Sequence, residues 1–180
     1  MNIHTKVGMG ILLFALIGLW FLPDFGMSYD DQHNREFGLA TYEYIQATLT
    51  GEPYLCANEY CVVSRYHGLI HGPVIELPLI FLEKMLHLTD LHDIYLLRHT
   101  VVWLFFCCGL FIFYLLAYQL TQNVGYSILG VLWLGLTPRI LADAFYNSVD
   151  IPFLVFSICA AYTLLTLLRT PTWQRAALHG

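Results

Sequence analysis

The stretch IYLLRHTVVWLFFCCGLFIFYLLAYQL, residues 94–120, is apolar over almost its whole length. A helix of about 20 such residues crosses the hydrocarbon core of a bilayer, so this stretch predicts a transmembrane helix. The whole chain agrees, since 58% of its 180 residues are hydrophobic, 12% are charged and the mean hydropathy is +0.61. Ordinary soluble domains contain about 25% charged residues. The sequence therefore predicts an integral membrane protein, and its net charge of −5 argues against nucleic-acid binding, which needs a basic surface.

Three more apolar stretches are predicted to cross the membrane, and they cover residues 1–22, 124–137 and 151–168. The first of them has a competing interpretation as a cleavable signal peptide, with Lys6 in its basic start. No small-x-small cleavage site follows it, because the run ends in large residues and a proline. A retained membrane anchor is therefore the favoured interpretation.

Residues 23–93 form a long connection that is predicted to contain two helices at the membrane surface. Residues 34–50 space apolar side chains at helical intervals, and Gly51 with Pro53 ends that pattern. Residues 73–88 are apolar but short, and they carry Glu76, Glu83 and Lys84. Charges are costly inside a bilayer, so an amphipathic helix lying in the interface is favoured over a fifth span.

The distribution of charge predicts the orientation. Residues 23–93 carry eleven acidic residues against Arg35, Arg65 and Lys84, whereas the two chain tails carry only basic residues. Basic segments favour the cytoplasmic side. With four spans, residues 23–93 and 138–150 are external loops, and residues 169–180 form a cytoplasmic tail. The predicted fold is a single all-α polytopic membrane domain, in a bacterial inner membrane or its equivalent, with both termini cytoplasmic.

Five cysteines are present, and two of them, Cys56 and Cys61, lie in the first external loop. A disulfide between these two is plausible if that side is oxidising. Free thiols and a metal site stay open as alternatives, although the nearby His67 and His71 complete no standard zinc pattern. The other three cysteines lie in predicted spans, where packing is their expected role.

The sequence SYDDQHNREFG, residues 28–38, places Asp30 and Asp31 where the chain leaves the first span. Charge next to lipid usually requires an ion pair, a metal ion or catalytic chemistry to compensate it. Helix capping is the structural alternative, because aspartate favours the first positions of a helix. Asp150 has the same alternative, since it stands just before a proline at the start of a predicted span.

The segment YDDQH, residues 29–33, resembles the Asp-Glu-x-His signature in the first external loop of the protein O-mannosyltransferase-like enzymes, glycosyltransferase family 39 of the GT-C superfamily. Three more segments resemble that family in the same order: IHGPV at 70–74, YLLRHTVVWLFF at 95–106 and TPRILADAFYNSVDIPFLVF at 137–156. The resemblance covers the chain but only the N-terminal part of a family member. Asp31 stands where the family usually has glutamate.

The resemblance implies transfer of a sugar from a polyprenyl-phosphate donor to a protein or glycolipid acceptor on the external face. It implies an inverting reaction in which Asp30 is the general base and Asp31 orients or binds the acceptor. Asp150 would hold a divalent metal ion or organise the phosphate pocket, and Arg139 would bind the lipid phosphate. His33 and His71 are expected to support the loop or the acceptor.

A non-catalytic four-span subunit that scaffolds a larger membrane assembly is the alternative function. Four spans are few for enclosing a lipid-linked donor, so further spans are expected from a C-terminal continuation or from a partner subunit. Arg139 also has a structural interpretation, as a residue whose charged end reaches from the membrane edge into water.

Overall fold

The computed structural model describes residues 2–54 and 74–179, which are helical apart from short turns, with no strand among them. A short 3₁₀ turn, Leu22–Asp24, follows the first helix. In chain order the α-helices are α1 Ile3–Phe21, α2 Tyr29–Thr50, α3 Glu76–Met85, α4 Leu91–Thr121, α5 Val124–Leu136, α6 Pro138–Asp143, α7 Asp150–Arg169 and α8 Trp173–His179.

The long helix α4 is the centre of the bundle, and α1, α5 and α7 all pack against it. Glycines allow the closest of these approaches. A Cβ atom on Gly18 of α1 would lie 2.0 Å from Trp103 of α4, and one on Gly109 of α4 would lie 2.5 Å from Val155 of α7. The buried Trp103 indole also donates a hydrogen bond to the carbonyl of Ala15, at 2.9 Å, so α1 and α4 are joined by a polar contact inside an apolar core.

Contacts at the ends of the bundle show that α1 runs antiparallel to α4, whereas α7 runs in the same direction as α4. At one end His4 of α1 bonds Tyr114 near the end of α4 (2.8 Å), and Gln119 of α4 bonds Thr166 near the end of α7 (2.9 Å). At the other end the Phe25 ring stacks on Phe145, with centroids 4.0 Å apart. We call the first the basic end and the second the acidic end, after the residues that occupy them.

Within residues 2–54 and 74–179, three helical segments are long and apolar enough to cross a membrane, namely Ile3–Asp24, Leu91–Thr121 and Asp150–Arg169. The predicted all-helical membrane character is thus confirmed. The predicted third span corresponds to α5, whose 13 residues extend only about 20 Å. The hydrocarbon core is about 30 Å thick, so α5 alone is shorter than a full span.

The connection between α1 and α4 contains α2 and α3, which pack against each other. Helix α2 includes the predicted segment 34–50 and starts earlier, at Tyr29, because Ser28 caps it; it ends at Gly51, which has a φ of +73°. Helix α3 lies within the predicted segment 73–88. It buries the face that bears Leu79 and Ile80 and leaves its opposite face exposed.

Candidate functional site

Asp30 and Asp31 lie in the first turn of α2, at the acidic end of the bundle. The Ser28 hydroxyl accepts a hydrogen bond from the Asp31 amide (3.3 Å), and the Asp31 carboxylate accepts one from the Ser28 amide (3.0 Å). This reciprocal arrangement is a capping box, with Ser28 as the N-cap residue. Asp31 therefore contributes to the capping of α2, which was the structural alternative to a catalytic role. Asp30 is exposed, and no hydrogen bond to its carboxylate is seen within the described ranges.

Asp31 also connects α2 to the central helix. Its Oδ2 lies 3.2 Å from Nε2 of His99 on α4, and both side chains are almost fully buried. A carboxylate oxygen accepts hydrogen bonds, so the contact suits the His99 tautomer whose N–H is at Nε2. The same carboxylate thus fixes the start of α2 and its position against α4.

A buried ion-pair cluster joins α2, α3 and α4, and consists of Arg35, Glu76, Glu83, Arg98 and Ser148. Arg98 contacts both glutamates, through Nη1 to Glu83 at 3.0 Å and through Nη2 to Glu76. Arg35 Nε binds the second oxygen of Glu83 at 3.0 Å, and the Ser148 hydroxyl donates to Glu76 at 2.6 Å. Two positive charges therefore balance two negative ones in this cluster.

Ser148 brings the connection between α5 and α7 into the cluster. Its hydroxyl is buried, and it comes two residues before Asp150, where α7 begins. The bond from Ser148 to Glu76 therefore holds the start of α7 against α3, which belongs to the other loop. The stacked rings of Phe25 and Phe145 make a second connection between the same two loops.

Arg139 and Asp143 lie on α6, close to the start of α7. Arg139 Nε binds Asp143 at 2.9 Å, and the Tyr146 hydroxyl donates to the other oxygen of Asp143 at 3.2 Å. Burial raises the pKa of Tyr146, and the carboxylates of Asp143 and, more weakly, Asp31 raise it further. The hydrogen bond to Asp143 is also the main cause that raises the pKa of Arg139. The Arg139 side chain is 83% exposed, so its Nη atoms remain available to an anion.

Asp150 is the first residue of α7 and is exposed. The Asn147 amide donates to its carboxylate at 2.9 Å, and the Asn147 side-chain oxygen accepts from the backbone amides of Val149 and Asp150. The N-cap residue of α7 is therefore Val149 and not Asp150, and the Asn147 side chain accepts from the first backbone amides. The Asp150 carboxylate keeps one oxygen without a protein donor in the described part of the chain.

The remaining predicted residues are only partly described. His33 is half-buried on α2 and does make contacts within the protein. His71, Cys56 and Cys61 lie outside the described residues. No group of three or more potential metal ligands occurs in the ranges 2–54 and 74–179, so any ion at Asp150 would need ligands from elsewhere, such as a phosphate or water.

A cavity of about 270 Å³ lies next to the Asp31–His99 pair, between the end of α1 and the start of α4. His99 and Tyr95 supply polar groups to its wall, and the rest of the lining is mainly apolar, including Leu22, Phe25 and Met27. Such a cavity accepts an apolar molecule that carries a polar group at one end.

Sequence analysis did not identify six residues of this region as site residues: Arg35, Glu76, Glu83, Arg98, His99 and Ser148. A usable signal was present, because a basic residue inside an apolar span requires a partner. The two glutamates are seven residues apart and so share one helix face. Their charges were interpreted only as an argument against a fifth span.

Comparison of the chain with protein-family models, curated proteins and solved structures finds no match.

Proposed function

We propose that this chain carries out, or contributes the N-terminal part of, glycosyl transfer from a polyprenyl-phosphate donor to a protein or glycolipid acceptor. The observation that carries the proposal is the setting of Asp30. Its exposed carboxylate lies in the first turn of α2, and eight residues separate it from Phe21, where the apolar α1 ends. It stands next to the buried Asp31, which contacts both Ser28 and His99. A lipid-linked sugar presents its reactive carbon at the membrane edge, where a catalytic carboxylate is needed.

The other residues of the acidic end fit complementary roles. Asp30 acts as general base and removes the proton of the acceptor hydroxyl as its oxygen attacks the sugar. Asp31 positions Asp30 by fixing the first turn of α2. Arg139 supplies positive charge to the leaving phosphate, and Asp150 organises that phosphate or a divalent metal ion bound to it.

The proposed membrane placement has four spans, with α5 as the short one. Residues on both sides of α5 complete its crossing, and α2 and α3 lie near the external interface. The exposed face of α3, which bears Phe81 and Met85, contacts lipid in this arrangement. Both termini are then cytoplasmic, and the acidic end faces outward.

The scaffolding alternative is supported by a different observation. The two positive and two negative charges of the ion-pair cluster balance each other, although the buried Nε of Arg98 has no hydrogen-bond partner among the described residues. The bundle also leaves many large apolar side chains exposed, including Trp20, Trp133 and Phe153. Such faces suit contacts with further membrane helices as well as with lipid. The two functions make different predictions, because glycosyl transfer requires the Asp30 carboxylate, whereas scaffolding requires no single carboxylate.

The test uses the full chain, with any partner subunit that copurifies, reconstituted in vesicles that contain polyprenyl-phosphate-linked sugars. Asp30→Asn should lower transfer at least about a hundredfold, because an amide is a far weaker proton acceptor. Its thermal stability should stay close to that of the original protein, since Asp30 is exposed. Glu43→Gln, at another exposed carboxylate of α2, is the matched control and should keep full activity.

Near-normal transfer by Asp30→Asn would show that Asp30 is not the general base. The proposal of catalysis would then lose its main support. Folded protein that transfers no hexose or pentose from any polyprenyl-phosphate donor would favour the scaffolding alternative.

A further inference from the structure

A concave groove lies between α1 and α5, separate from the cavity next to the Asp31–His99 pair. Its volume is about 380 Å³, its walls are formed by these two helices, and Leu110 of α4 contributes to its floor. The lining is apolar with one exception, Lys6, which stands near the basic end. The groove therefore combines a surface for a hydrocarbon chain with a single positive charge at one end.

The distribution of charge around the groove indicates which class of ligand it binds. Residues 2–23, 94–142 and 151–179 contain no aspartate or glutamate, so these segments bring no acidic side chain to the basic end. Arg169 and Arg175 at this end donate to backbone carbonyls of Gln119, Thr166 and Thr170. In the described part of the chain, no hydrogen bond or ion pair engages the ammonium group of Lys6.

We propose that the groove binds one anionic phospholipid, with an acyl chain between α1 and α5 and the phosphate group at Lys6. Anionic headgroups are recognised by basic residues at the membrane surface, and each buried methylene adds to the affinity of the chain. The site is distinct from the proposed catalytic region, because Lys6 lies near the basic end and no proposed catalytic residue lines the groove. It does not depend on the proposed glycosyl transfer.

Two positions allow the groove and the charge to be tested separately. Gly10 lines the groove, and a Cβ atom there would meet nothing within 4 Å. Gly10→Leu is therefore expected to fill part of the groove. Lys6→Gln removes the charge but leaves the groove open.

Native mass spectrometry of the purified full chain should be carried out in detergent with added phosphatidylglycerol or phosphatidylcholine of identical chains. The unmodified protein should retain one phosphatidylglycerol about fivefold more strongly than phosphatidylcholine, as expected for one lysine near a membrane surface. Lys6→Gln should reduce this preference to near unity, and Gly10→Leu should weaken retention of both lipids.

Arg175→Gln and Leu16→Phe are the matched controls. The first removes the same charge at the same end, and the second adds bulk to an exposed position of α1 outside the groove. Both should bind lipid like the unmodified protein. Equal retention of the two lipids by the unmodified protein, or an equal effect of Lys6→Gln and Arg175→Gln, would overturn the proposal. A dimer that Gly10→Leu dissociates would also overturn it, because a second copy would then occupy the groove.

Discussion

Asp30 and Asp31 show how two neighbouring residues of the same type acquire different surroundings from one helix start. The capping box turns the third helical residue, Asp31, back toward Ser28 and inward to His99. The second helical residue, Asp30, faces outward and is exposed. A proton acceptor needs such access to its substrate, whereas a positioning residue needs fixed partners.

Asp31→Asn is expected to destabilise the folded protein, because the neutral amide weakens the bonds to the Ser28 amide and to His99. Loss of buried hydrogen bonds of this kind costs about 1–3 kcal/mol. The measurement is the free energy of unfolding of the purified protein in detergent micelles. Asp30→Asn is the control and should leave stability nearly unchanged; equal losses for the two variants would contradict the different surroundings described here.

Arg98→Met is expected to cause a larger loss, of about 3–5 kcal/mol, because it leaves Glu76 and Glu83 buried without their shared cation. Addition of Glu76→Gln should recover part of the loss, since Glu83 still has Arg35 and the amide can still accept from Ser148. Arg139→Met, at an exposed arginine, is the control in the same unfolding assay and should have little effect. If the loss in the Arg98→Met, Glu76→Gln double variant equalled the sum of the two separate losses, Arg98 and Glu76 would not interact.

At the scale of helices, close approach at glycine sets the packing of the bundle. Gly18 contacts the Trp103 ring, Gly109 contacts Val155, and Gly38 of α2 lies against Glu76 and Ile80 of α3. Each of these positions would place a Cβ atom less than 3.0 Å from a neighbouring atom. The helices can therefore lie as close as they do only because these side chains are absent.

Gly18→Ala and Gly109→Ala are expected to destabilise the bundle by about 1–3 kcal/mol each, through overpacking. Gly10→Ala on the same helix as Gly18 meets open space. It should be neutral or stabilising by about 0.5–1 kcal/mol, because alanine is the better helix former. Thermal unfolding of the three variants side by side measures this difference, and a loss in Gly10→Ala equal to that in Gly18→Ala would rule out the packing explanation.

The apolar helices could be predicted from the sequence because hydropathy is a local property, visible in residues 94–120 alone. The start of α2 was harder to predict, because Ser28 lies outside the apolar pattern of residues 34–50. The ion-pair cluster could not be located in the same way, because Glu76 and Arg98 meet only after α3 folds against α4. The local sequence showed their charges but not their partners.

At the scale of the whole molecule, charge is separated along the bundle. All thirteen acidic residues lie within residues 24–93 or at Asp143 and Asp150, and Lys6, Arg169 and Arg175 lie at the opposite end. The contacts of Phe25 with Phe145 and of Ser148 with Glu76 bring the two acid-bearing loops together. This separation is the physical basis for the proposed orientation, since basic segments resist transfer across the membrane.

The proposed orientation predicts which positions a membrane-impermeant thiol reagent reaches in intact cells. Single cysteines are placed at Glu52 after α2 and at Gln174 in α8, in a chain whose five native cysteines are replaced by serine. Glu52→Cys should be labelled in intact cells, and Gln174→Cys only after permeabilisation, because the acidic end faces outward. A matched pair of positions in one background removes differences in expression and in disulfide formation. Labelling of Gln174→Cys in intact cells together with protection of Glu52→Cys would reverse the orientation. It would then place Asp30 on the cytoplasmic side, where the proposed external acceptor is absent.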